Sequence, residues 1–61
     1  MTEDQVLWGA ASMLLKRHGV DAPRKVAERI GELALEDDAA GIALWTEIAR
    51  RMDEIMKTPP Q

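Results

Sequence analysis

Apolar residues recur at helical spacing in three stretches of this chain, separated by two short clusters rich in glycine, proline and aspartate. In the first stretch Leu7, Ala10, Ala11, Leu14 and His18 share one face when projected at about 100° per residue, with Val6 and Leu15 at its edges. Trp8 lies beyond Leu15, beside Ser12, off the centre of that face. The pattern predicts a helix over 3–18. Its start reads as a capping box, Thr2 with Gln5 three residues on, and Glu3 and Asp4 suit the positive end of the helix dipole. Its end reads as Lys16-Arg17-His18-Gly19, with Gly19 in a left-handed C′ position and Val20 folded back onto Leu15.

The second stretch carries Val26, Ala27, Ile30, Leu33 and Ala34 on one stripe, with Arg24, Lys25, Glu28, Arg29, Glu32 and Glu36 opposite. It predicts a helix over 22–36, capped by Asp21, with Pro23 in the first turn where no N–H is needed. Gly31 sits at the edge of the stripe. A glycine inside a helix costs about 1 kcal/mol against alanine, which suggests a backbone passing close by.

The third stretch turns Ile42, Trp45, Ile48, Ala49, Met52, Ile55 and Met56 inward and predicts a helix over 38–57. Either Asp37 or Asp38 can cap it. Gly41 in its first turn again suggests a close crossing. Pro59 cannot continue a helix, so residues 58–61 are expected to form a frayed tail. Trp45, in mid-stripe, is expected to be the main core anchor. Together the three stretches predict an all-α fold: a compact three-helix bundle with short turns, one domain over 1–61. Small residues at Ala10, Ala11, Ala27, Gly31, Ala34, Gly41 and Ala49 would permit close crossings.

Size sharpens this picture. A chain of 61 residues is near the lower limit for folding alone, and it has no cysteine to staple it. A single histidine leaves no Cys/His zinc set. Regular helix packing or self-association remains. The net charge of -3 argues against a phosphate-binding face, and no apolar run is long enough to cross a bilayer. "VLWGAASMLL" (6–15) has the look of a signal-peptide core, but Glu3 and Asp4 precede it and Lys16-Arg17 follow it, the wrong charges for that role. A cytoplasmic location is expected.

Candidate chemistry is sparse. Asp37-Asp38 supplies too few oxygens for a divalent cation and reads as capping. His18 is the one candidate general base, yet no serine or cysteine nucleophile stands at a recognisable spacing, so it reads as a packed or hydrogen-bonded helix-end residue. Glu28-Arg29 reads as a solvated surface pair. No catalytic, cofactor or metal residues are expected, and no enzyme. Trp8 either wraps the bundle edge or anchors a contact, since tryptophan is common at interface hot spots.

At "HGVDAPRKVAERIGELALEDDAAGIALWTEIARRMDEI" the chain resembles a family of very short bacterial proteins classed only as a domain of unknown function. The resemblance rests on Trp8, His18-Gly19, Ala22-Pro23, Ala27-Glu28-Arg29-Ile30-Gly31, Leu33-Ala34-Leu35, Asp38 to Gly41, Trp45 and Ile48-Ala49-Arg50-Arg51. The one departure is Asp37, where a small residue is expected before the acid. The resemblance covers nearly the whole chain and implies no activity.

Two functional classes fit the residues. The first is a small acidic helical module for protein interaction or assembly, without catalysis, whose partner is another protein or itself. The second is a helix-turn-helix-like nucleic-acid-binding or regulatory protein using helices 2 and 3. The outward face of helix 3 sets Glu47, Asp53 and Glu54 against Arg50 and Arg51, which favours the first class. The expected partner surface is Trp8, Ser12 and Leu15. The apolar band running from Val6 round to Trp8 is wider than one neighbour needs. Either helix 1 lies between the other two and uses all of it, or the Trp8–Leu15 edge stays open and meets a second copy in a homodimer.

Overall fold

Thr2 opens helix α1 (Glu3–His18) with the expected capping box: its Oγ1 accepts from the Gln5 N–H at 3.2 Å, and the Gln5 Oε1 accepts from the Thr2 N–H at 3.0 Å. Two of the orphan donors at the helix start are thereby satisfied. These positions come from a computed structural model of the chain, which describes residues 2–57. The expected tail at 58–61 lies outside them.

The end of α1 departs from the expected Schellman geometry. Gly19 adopts φ 59°, ψ -133°, and its N–H still reaches the Leu15 carbonyl. Gly19–Asp21 then form a single 3₁₀ turn that feeds directly into α2 (Ala22–Leu35). Val20 consequently points into solvent, 88% exposed, and does not fold back onto Leu15. The advantage of this route falls on Ala22, which lands in the core fully buried at the first position of α2. Asp21 does not cap α2 through its side chain; its carboxylate pairs instead with Arg24 at 3.0 Å. The chain therefore forms two unbroken helical runs, Glu3 to Leu35 and α3 (Ala39–Lys57), and not three helices separated by turns. The first run contains a sharp reversal at Gly19, so α1 and α2 remain distinct helical segments within it.

The acidic turn between α2 and α3 answers to both helices. The Asp37 N–H reaches the Ala34 carbonyl at 3.2 Å and the Asp38 N–H reaches the Leu33 carbonyl at 3.0 Å, a Schellman closure with Asp37 in the left-handed region at φ 57°. Aspartate tolerates that region better than most side chains. Asp38 then caps α3, its Oδ1 accepting from the Gly41 N–H at 2.9 Å. A cap of this kind is worth about 0.5–2 kcal/mol. Two corrections follow. The helices are one residue shorter than the sequence pattern indicates at this joint, Leu35 ending α2 and Ala39 starting α3. Gly41 is small for the sake of the cap and not for a helix crossing, since a Cβ there would lie 2.6 Å from the Asp38 Oδ2.

Asp4 and Trp8 near the start of α1 stand beside Arg51 of α3, while Leu14 and His18 at its end share a groove with Trp45. Pro23 at the start of α2 meets Met52 and Met56 near the end of α3, so α2 runs antiparallel to it. Helix α3, not α1, is the element that packs extensively on both others.

Leu7 and Ala11 of α1, Ala22 and Val26 of α2, and Ile48 and Met52 of α3 form the core. Leu33 is buried too. Trp45 is only partly buried and packs against this cluster from the side; Met52 and Val26, each 1% exposed, hold its centre. Ala27 and Ala34, expected on the inner stripe, are exposed, because the buried face of α2 is centred on Ala22, Val26, Ile30 and Leu33. Gly31 is exposed as well, and a Cβ there would meet nothing within 4 Å. No backbone passes close to it. Gly31→Ala is accordingly expected to stabilise the fold by about 0.5–1 kcal/mol, visible as a rise of a few degrees in Tm. A lower Tm would show that something packs on this position.

Candidate functional site

Helix α1 faces α3 through Trp8, and the polar end of this side chain is already engaged. Its Nε1 donates to Asp4 Oδ2 at 3.0 Å, one helical turn back. Arg51 of α3 donates from Nη2 to Asp4 Oδ1 at 3.0 Å and from Nη1 to Glu47 Oε2 at 2.6 Å, and its guanidinium carbon lies 5.9 Å from the centre of the Trp8 ring. Hydrogen bonds to Asp4 and then to Glu47 raise the Arg51 pKa above its ordinary value. A cation over an aromatic face at an exposed site adds about 0.5–1 kcal/mol. The four side chains clamp the N-terminal half of α1 to the middle of α3. Trp8 remains 37% exposed in this clamp.

Arg51 and Asp4 are the members that the sequence reading passed over. The i,i+4 spacing of Glu47 and Arg51 was legible, and Arg51 projects close to Ile48 and Ile55 on α3. What spacing could not reveal is Asp4 as the second partner, 47 positions away. Neighbouring Arg50 has a different fate: it projects outward and pairs with Glu47 at 3.4 Å.

Ser12 and Leu15, placed with Trp8 in the expected partner surface, line a different depression. It is an open apolar groove between α1 and α3, lined by Gly9, Ser12, Met13, Leu15, Lys16 and Ile55. Trp8 belongs to the adjacent, more polar hollow with Asp4, Arg51 and Glu54. Met13 is 67% exposed on the groove's outer wall, and Val6, 51% exposed, continues its line two turns earlier on α1. Gly9, between them, has open space where a Cβ would be. Sequence reading did not place Gly9 and Met13 on this face, and it assigned Ile55 to the inner stripe of helix 3.

The remaining sequence candidates stay apart. His18 is partly buried in a groove with Leu14, Trp45 and the charged row Lys25, Glu28, Arg29 and Glu32 of α2. No serine, threonine or cysteine is among the residues lining that groove. Arg29 pairs with Glu32 at 3.3 Å, both exposed. Asp37 and Asp38 act in the helix joint described above. Among the described residues no group of three or more histidine, cysteine or acidic side chains is placed to hold a metal ion. No helix among them is long and apolar enough to cross a membrane.

Cations are paired across most of the surface. Arg24, Arg29, Arg50, Arg51 and Lys57 each sit against a carboxylate, and Asp53 raises the Lys57 pKa by hydrogen bond and charge. Lys16 and Arg17 near the end of α1, and Lys25, have no ion pair within the described residues.

Residues 3–59 match the model of a family described as a family of unknown function, DUF6961. No curated protein and no solved structure matches the chain.

Proposed function

The chain belongs to DUF6961, a family of unknown function, and from that premise we propose that it is a protein-docking module, without catalysis of its own, whose outer α1 face receives an apolar helix of a partner protein. One observation carries this reading. Among the described residues seven large apolar side chains (Val6, Trp8, Met13, Val20, Leu35, Leu44, Met56) are exposed, and Val6 and Met13, 51% and 67% exposed, stand together on the outer face of α1. Covering such side chains would stabilise a complex by about 25 cal/mol per Å² buried.

Among these exposed residues Val6 and Met13 share one face of a single helix, with Gly9 between them and an apolar groove alongside. That geometry suits a helix laid against α1, where small residues let the two axes approach to about 8–10 Å. Trp8 takes part as a wall held by Asp4 and Arg51 and not as a free anchor.

The test is a photo-crosslinking residue placed at position 13, with position 50 as a control on the opposite, charged side of α3. In the cell of origin, position 13 is expected to give a discrete adduct that position 50 does not. Equal or absent labelling at both positions would overturn the reading.

A further inference from the structure

Resting on that docking reading, we propose that the partner segment is acidic where it passes the end of α1, and that Lys16, Arg17 and Lys25 receive its carboxylates. The unpaired cations of the chain are gathered in one place. Among the described residues Arg24, Arg29, Arg50, Arg51 and Lys57 each stand against a carboxylate of their own chain, and Lys16, Arg17 and Lys25 do not. Those three lie on the last turn of α1 and the first turn of α2, on either side of the reversal at Gly19.

Two observations set these charges apart from an ordinary solvated surface. The first concerns the helix dipoles. A cation suits the negative end of a helix and opposes the positive end, within about one turn. Lys16 and Arg17 accord with the end of α1, but Lys25 stands in the first turn of α2, which holds no acidic residue to offset it. Arg24 has the same disadvantage and is compensated by Asp21 at 3.0 Å. Lys25 has no such partner among the described residues, so the anion that would offset it has to come from outside. The second observation is where the cations stand. Lys16 forms part of the wall of the apolar groove with Met13 and Ile55. Lys25 lines the next groove, with Leu14, His18 and Trp45. Arg17 comes between Lys16 and His18 on the last turn of α1, so the cations bridge the two grooves. Glu28 and Glu32, further along α2 in the second groove, set the limit of the positive surface there.

An occupant of the docking groove therefore meets apolar side chains at Met13 and Ile55 and positive charge at Lys16. A protein segment with a few carboxylates beside its apolar residues answers both. Three unpaired cations on a chain of net charge -3 match such a segment better than the phosphate row of a nucleic acid or the charge sheet of an anionic bilayer, whose binding is summed over many charges. Charge of this kind fixes orientation more than it adds affinity. The acidic end of the partner helix accordingly lies over the C-terminal end of α1.

The test is an NMR titration of the isotope-labelled full chain with synthetic peptides, read from its backbone amide shifts. The probes share one amphipathic leucine- and alanine-rich helix and end in a run of glutamates, of glutamines or of lysines. The glutamate probe is expected to shift Met13, Lys16, Arg17 and Lys25, and to bind about three- to tenfold more tightly than the glutamine probe at low salt. That preference should vanish at about 1 M salt, where charges are screened beyond about 3 Å. Lys16→Gln with Arg17→Gln, and Lys25→Gln alone, should each reduce the preference with the far-UV helical signal intact, whereas Arg50→Gln, at a cation already paired, should leave it unchanged. Glutamate and glutamine probes that bind equally at Met13, or a lysine probe that binds more tightly, would overturn the acidic partner and keep the docking reading. Shifts at Lys16 and Lys25 with none at Met13 would keep the acidic contact and overturn docking on the outer α1 face. No shift from any probe would overturn both. Vesicles containing phosphatidylserine, or a duplex oligonucleotide, that shift the same amides more strongly than the glutamate probe would overturn the proposal in favour of a membrane or a nucleic acid.

Discussion

Met52→Ala is expected to remove about 2–5 kcal/mol of stability, the range for truncating a buried methionine or leucine in a packed core. Met52 is 1% exposed and sits in the cluster that joins α3 to Leu7 and Ala11 on one side and to Ala22 and Val26 on the other. Natural domains hold roughly 0.05–0.15 kcal/mol per residue, so a chain of 61 residues has about 3–9 kcal/mol in all. The truncation would leave it largely unfolded. Urea titration followed by far-UV circular dichroism reads the effect. Met56, one turn on and about half exposed, is the control, and its alanine variant should lose far less. Equal losses at the two positions would mean that α3 presents a different face to the core.

Gly19→Ala is the second large effect, expected at about 1–3 kcal/mol. At φ 59°, ψ -133° an L side chain is strained whatever the space around it, and nothing lies within 4 Å of the added Cβ, so the whole cost is backbone. The mirror image of that conformation is close to polyproline II, an ordinary region for an L residue. A chemically made chain with Gly19→D-Ala should therefore keep or gain stability, by about 0.4–1 kcal/mol through the restricted unfolded state. Thermal melts of the two epimers should fall on opposite sides of the parent. Matching losses for both epimers would show that the backbone at this reversal is not what glycine serves. The same Gly→Ala exchange is thus expected to stabilise at Gly31 and destabilise at Gly19, because only the second position has a positive φ.

The contrast between those two glycines shows what spacing can and cannot convey. Both stand near a helix face or end, and composition does not separate them. Gly31 looked like a close approach because a glycine inside a helix is costly, yet the space beside it is empty. Gly41 looked the same and serves the Asp38 cap. The residues of the expected partner surface are likewise divided between two places. Ser12 and Leu15 do line an open groove, while Trp8 is drawn into a clamp by Arg51. Helical projection ranks residues by angle about one axis. It does not say on which side a second helix will lie.

By itself the sequence determined the local features of this protein: the all-helical class, the capping box at Thr2 and Gln5, the aspartate joint at 37–38, and the charges distributed to the ends of α1. These depend on hydrogen bonds and side chains no more than about five residues apart, and such interactions are written in the spacing. Only the tertiary structure decided which apolar positions are core and which are surface. There Ala22 is buried while Ala27 and Ala34 are exposed, α3 packs on both neighbours, and Met52 and not Trp45 lies at the core's centre. The tertiary structure also joined Asp4 to Arg51, a pair that no local rule connects. The physical reason is that each helix offers an apolar arc wide enough for more than one packing, and the choice among them is made by how all three arcs are filled at once.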